Sequence, residues 1–135
     1  MTEAARTLIS RYYAAFNAQD PQGMLSLLTP DVIHDLNQSG REIGREAFGR
    51  FLARMSRCYR EELRDIVIMV DPSGRRAAAE YRVLGTYLVA DTGLPPARGQ
   101  TYDLAGGAFF DIAGGMISRV TNYYDLQDWL HQVKP

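Results

Sequence analysis

In the first half of the chain, apolar residues return every three or four positions; in the second half they return every second position. Leu8, Ile9, Tyr12, Tyr13 and Phe16 share one helical face, which predicts an amphipathic helix over residues 3 to 18 with an aromatic-rich inner side. Asp20 followed by Pro21 reads as a cap and a first-turn proline. They open a second short helix that buries Met24, Leu25, Leu27 and Leu28 and stops at Pro30, whose ring removes an N–H and pushes Thr29 out of the helical region. A brief strand then carries Val32 to Leu36, Ser39-Gly40 marks a turn, and Gly44 precedes a third helix with Ala47, Phe48, Phe51, Leu52, Met55 and Tyr59 along one stripe.

Past residue 62 the period changes. Leu63 to Val70 reads as a strand and Asp71-Pro72-Ser73-Gly74 as a hairpin turn. A long strand from Ala77 to Val89 puts Ala77, Ala79, Tyr81, Val83, Tyr87 and Val89 on one side and Glu80, Arg82 and Thr86 on the other. After a loop over residues 91–99 come strands Thr101 to Ile112 and Met116 to Asp125, joined at Ala113-Gly114-Gly115, and a terminal helix from Leu126 to Val133. Helices first and antiparallel strands second predict an α+β fold, with helices packed on one face of a curved sheet in one domain spanning residues 1–135.

Composition narrows the function classes. Hydrophobic residues make up 46% and charged residues 23%, which suits a packed globular chain, and the formal net charge of −1 gives no electrostatic reason to expect nucleic acid or an anionic membrane. Cys58 stands alone, so neither an intrachain disulfide nor a thiolate zinc cluster is expected, in keeping with a reducing, cytoplasmic location. The N-terminus lacks the basic-then-apolar layout of a signal peptide, and no apolar run approaches a membrane span. With two isolated histidines, His34 and His131, and no spaced carboxylate pair, no metal site is expected.

The candidate chemistry begins at Asp35. On a regular strand Ile33 and Asp35 point one way and Val32, His34 and Leu36 the other. If the Ile33 face is buried, the Asp35 carboxylate sits among apolar groups and its proton affinity rises toward that of a useful base; if not, Asp35 is a turn-proximal acid in water. Facing away from Asp35, His34 reads as a structural or interface residue. Arg50, Arg54 and Arg57 share a helix face with Glu46 one turn ahead, which reads as a solvated, partly paired surface.

The order of elements resembles the nuclear transport factor 2-like superfamily, and particularly its SnoaL-like and ketosteroid isomerase-related members. Arg11-Tyr12-Tyr13-Ala14-Ala15-Phe16-Asn17-Ala18-Gln19-Asp20 is similar to the first-helix pattern of ketosteroid isomerases, and Val32-Ile33-His34-Asp35 to the strand that delivers their aspartate. Gly85-Thr86-Tyr87, Gly93-Leu94-Pro95-Pro96, Gly107-Ala108-Phe109-Phe110 and Gly115-Met116-Ile117 resemble SnoaL-like sheets. The resemblance implies a cone with an apolar pocket between helices and sheet, a homodimer formed through the sheet's other side, and a small hydrophobic ligand. It also implies Asp35 as proton acceptor and Tyr12 as donor to a substrate oxygen, in a chemistry that needs no cofactor.

Two departures accompany it. Gly107 or Ala108 stands where the isomerases place a second, protonated acid, and Asn122 stands where SnoaL-like cyclases carry an aspartate. An amide cannot take a proton but can donate to a developing oxyanion, so Asn122 is a candidate replacement for the missing donor, and a backbone-bonding asparagine is the alternative. Phe16, Phe51, Met55, Tyr59, Tyr81, Tyr87, Tyr124 and Trp129 are candidates for the cavity wall, and the same spacings suit plain core. Asp103 reads as an exposed strand-end acid. Three readings stand together: a cofactor-independent isomerase or cyclase, a non-catalytic binder of small molecules, and a dimeric interaction scaffold.

Overall fold

The structure is a computed structural model and describes residues 1–38 and 40–135. Helix α1 (Thr2–Asn17) buries Ala5, Leu8, Ile9, Tyr12 and Tyr13, the stripe expected from its spacing. Its end is tied to the sheet by one amide: Asn17 donates to the Leu63 carbonyl at 3.0 Å and accepts from the Leu63 N–H at 2.9 Å. Asp20 then caps the short helix α2 (Pro21–Leu25) by accepting from the Gly23 N–H at 2.9 Å.

Strand β1 (Leu28–Asp35) starts earlier than expected, so Leu27 and Leu28 do not belong to the second helix and Pro30 does not end it. Proline is tolerated within this strand because the pairing of β1 with its neighbour is irregular between Leu28 and Ile33, where a ladder N–H is not required. A three-residue strand, β2 (Arg41–Ile43), was not visible in the hydrophobic pattern; it pairs antiparallel with β1, and Leu36 N–H closes the connection on the Gly40 carbonyl. The expected turn at Ser39-Gly40 falls partly outside the described residues, because Ser39 is not among them.

Helix α3 (Arg45–Cys58) follows Gly44, whose φ of 104° suits glycine and whose N–H donates to the Val32 carbonyl. Tyr59 lies outside that helix as the first residue of β3 (Tyr59–Val70). Strands β4 (Arg76–Tyr87), β5 (Thr101–Ala113) and β6 (Met116–Tyr124) and helix α4 (Leu126–Val133) follow. Val89, expected on the inner side of β4, is exposed beyond the strand's end.

Among the described residues the six strands form one curved, unclosed sheet in the order β2-β1-β6-β5-β4-β3. Neighbours pair antiparallel except β1 and β6, which run parallel and therefore correct the all-antiparallel expectation. Helices first and strands second yield the α+β class as expected. The core lies between the helices and the inner sheet face, where Ile9, Phe48, Tyr87, Phe110, Ile117 and Val120 are fully buried. No helix among the described residues is long and apolar enough to cross a membrane.

Candidate functional site

Between α1, α3 and the inner face of the sheet lies a cavity of about 390 Å³. Its wall includes Tyr12, Phe16, Phe51, Met55, Tyr59, Tyr81, Asn122, Tyr124 and Trp129, all expected from the sequence. Tyr87, expected with them, is buried behind Tyr59 and Trp129 instead, its ring 5.5 Å and 4.9 Å from theirs. Its hydroxyl accepts from the Asp91 N–H and donates to the Pro95 carbonyl at 2.7 Å, which fastens the loop between β4 and β5 over the sheet.

Asp35 does not reach that cavity wall. In β1 the fully buried positions are Leu28, Val32 and His34, so strand alternation turns Ile33 and Asp35 to the outer face. There the Asp35 carboxylate accepts from Arg41 Nε at 2.6 Å and from Thr121 Oγ1 at 2.9 Å, with the Arg119 guanidinium 4.0 Å away. The Arg41 hydrogen bond holds its pKa below the usual aspartate value; burial is the next-largest influence and opposes it, and Thr121 and both guanidinium charges add to the lowering. A carboxylate so stabilised is a poor proton acceptor. The pairing follows from register, since Arg41 stands directly opposite Asp35 on β2.

His34 takes the inward place. Its ring packs on Phe48 at 4.4 Å and edge-on against Phe51 at 4.5 Å. Burial lowers its pKa to about 4, opposed weakly by the charge of Asp35, so the imidazole is neutral near pH 7. His34 Nε2 lies 3.3 Å from Asn122 Nδ2, and His34 Nδ1 lies 3.8 Å from Glu42 Oε1, which is paired by register with His34 across β1 and β2. An amide donating to Nε2 leaves the ring proton on Nδ1, facing the carboxylate. Nδ1 and Glu42 Oε1 are both buried without a hydrogen-bond partner, and they face each other at 3.8 Å.

Phenols complete the polar inventory. Tyr12 packs edge-on against Tyr13 and Phe110, and burial drives its pKa far upward; Tyr81 is pushed up to about 12 by the same cause. Both remain neutral donors at any ordinary pH. At the loop, Tyr59 donates to Asp91 Oδ2 at 2.8 Å, and Arg54 approaches the same carboxylate at 3.7 Å. Arg54 stays about half exposed on the arginine face and also lines the cavity, and Arg50 stays exposed beside Glu46. Asp103 is exposed and paired with Arg82, and His131 is exposed. Among the described residues no three His, Cys, Asp or Glu side chains converge as a metal site would require.

Sequence reasoning overlooked Glu42 and Glu61. Glu42 was hidden with the strand that carries it. Glu61 sits in a run of charged residues, but Tyr59 and Leu63 flank it at strand spacing and were a usable signal that it faces inward.

The model of the SnoaL-like domain family matches residues 9–120. Among solved structures, a candidate polyketide cyclase from Pseudomonas putida KT2440 is 56% identical, covering 99% of this chain and 99% of its own, with a TM-score of 0.96. Another from Xanthomonas campestris pv. campestris is also 56% identical, covering 98% of each chain with a TM-score of 0.96. An NTF2-like protein from Burkholderia xenovorans LB400, at 13% identity, covering 99% of this chain and 98% of its own with a TM-score of 0.77, shares the fold alone. No curated protein matches the sequence.

Proposed function

This chain belongs to the SnoaL-like domain family, and on that premise we propose that it binds a small, largely apolar carbonyl compound and moves a proton on it, in a reaction of the cyclase type. The observation that carries the proposal is His34, a neutral imidazole buried between two phenylalanines on the cavity wall, with Asn122 at one nitrogen and Glu42 near the other.

In this reading the ligand's acidic C–H displaces the Asn122 amide at Nε2, and the lone pair there takes the proton. Electrons of the broken C–H bond move into the adjacent carbonyl, giving an enolate whose oxygen is held by Tyr12 and by the N–H groups of Asn122. The enolate carbon forms a bond to a second carbonyl carbon of the same molecule, and the resulting alkoxide recovers the proton from His34. Glu42 stabilises the transient imidazolium through Nδ1–H. Atoms and charge balance without a cofactor, and Asp35 takes no part except to brace the outer face.

Exchange of the α-protons of β-tetralone in heavy water, followed by NMR, reads the first step without knowledge of the natural substrate. The expected outcome is protein-dependent exchange that falls about 10²–10⁴-fold in His34→Asn and changes less than about threefold in Asp35→Asn. Binding of the ketone with no exchange above solvent by the wild type supports the second reading, a non-catalytic binder, which the outward position of Asp35 favours. The proposal includes a homodimer through the outer sheet face, where Val67, Met69, Phe109 and Tyr123 are exposed.

A further inference from the structure

A second polar pole lies on the cavity wall at the other end of the sheet. Glu61 is on β3, four strand positions from the β1 strand that carries His34, in a sheet whose neighbours are spaced about 4.8 Å. Glu61, Gly85 and Tyr102 stand in direct register across β3, β4 and β5. The Tyr102 ring lies flat over Gly85, where any Cβ would collide with its ring carbons, and its hydroxyl donates to Glu61 Oε2 at 2.6 Å. β4 thus carries no side chain at this one position, and a phenol from β5 reaches over it to fix a carboxyl on β3.

That hydrogen bond uses one carboxyl oxygen; among the described residues Oε1 has no side-chain partner. Burial raises the pKa of Glu61, with the Tyr102 hydrogen bond acting weakly against it, so the group retains a proton more readily than an ordinary glutamate. Burying a carboxyl on an apolar wall is costly unless it is hydrogen-bonded, and a protonated carboxyl is a hydrogen-bond donor as well as an acceptor.

We propose that Glu61, held by Tyr102 across Gly85, is a specificity-determining group that hydrogen-bonds a second oxygen of the ligand, so that the cavity selects flat apolar molecules with a carbonyl toward each end. This rests on the ligand cavity of the reading above and not on proton transfer at His34. A purely structural Glu61–Tyr102 pair would stabilise the sheet but would not discriminate between ligands.

The test compares two ketones of one ring system by quenching of Trp129 fluorescence: β-acetonaphthone, with one acetyl group, and the diacetylnaphthalene that carries one at each end. The wild type is expected to bind the diketone about tenfold more tightly, as one added hydrogen bond in a dry site allows. Glu61→Leu brings the ratio to within about twofold, while Glu61→Gln, whose amide still donates, keeps most of it. Should Glu61→Leu not fold, Tyr102→Phe serves instead, lowering the ratio at least about threefold by releasing the carboxyl.

A wild-type ratio near one, or a preference that survives both Glu61→Leu and Tyr102→Phe, overturns the inference. Binding of neither ketone overturns it together with the cavity reading. A preserved ratio with no proton exchange defeats the His34 mechanism alone.

Discussion

His34 and Asp35 are adjacent in the chain and meet opposite fates. The imidazole is 1% exposed between Phe48 and Phe51 and loses its affinity for protons; the carboxylate, one residue on, sits among Arg41, Arg119 and Thr121 and holds its charge more firmly than in water. Burial dominates the first case and opposite charge with hydrogen bonding the second. A single pleat therefore separates a neutral imidazole facing the cavity from a network of ion pairs on the outer face. Chemical type alone would have assigned the roles the other way round.

The largest expected effect breaks the inner environment. Phe48→Ala removes a fully buried ring that packs on His34 and is expected to cost about 3–5 kcal/mol in urea denaturation. Where the variant remains folded, the imidazole titrates in NMR closer to its ordinary value of 6.5, because the desolvation that lowers it is relieved.

Acid separates the two residues without mutation. The folded-state pKa of His34, about 4, lies below its unfolded value of 6.5, so the unfolded chain binds the proton more readily. The neutral native form is at full advantage above pH 6.5, and on the order of 3 kcal/mol is lost as pH falls from there toward 4. Urea midpoints across that range should decline in the wild type, and His34→Gln should lack this step.

The smallest effect belongs to the outer face. Asp35 has a folded pKa below 3.8, so its contribution is present above that value and is lost only as pH falls below it. Arg41→Gln should raise the Asp35 pKa in NMR and move the urea midpoint at neutral pH only slightly, since Arg41 is largely in solvent. A cost as large as that of Phe48→Ala would erase the contrast between the two faces.

Much of this was readable in advance. Among the described residues, helical and strand periods located α1, α3 and the strands β3 to β6 to within a few residues, because each element must bury one face and its spacing reports that obligation. Of the aromatic residues named for the cavity wall, Phe16, Phe51, Tyr59, Tyr81, Tyr124 and Trp129 line the cavity and Tyr87 does not. Asp35 was misleading because a lone acid beside an isoleucine draws attention, yet Val32, His34 and Leu36 together make the more apolar face of that strand. Arg41, six residues on, was the missing clue, but only the β1–β2 register puts it opposite Asp35. The same register hid Glu42 beside His34, and three-strand register hid the meeting of Glu61 with Tyr102 over Gly85.

The order of amino acids by itself determined most of the helices and long strands and the α+β class, since these follow from local spacing and from the need to remove hydrocarbon from water. Tertiary structure decided which side of β1 faced inward, and with it whether an imidazole or a carboxylate met the cavity. Alternation allows both choices equally, and only the combined packing of the phenylalanines of α3, the parallel pairing with β6 and the guanidinium groups outside selects one.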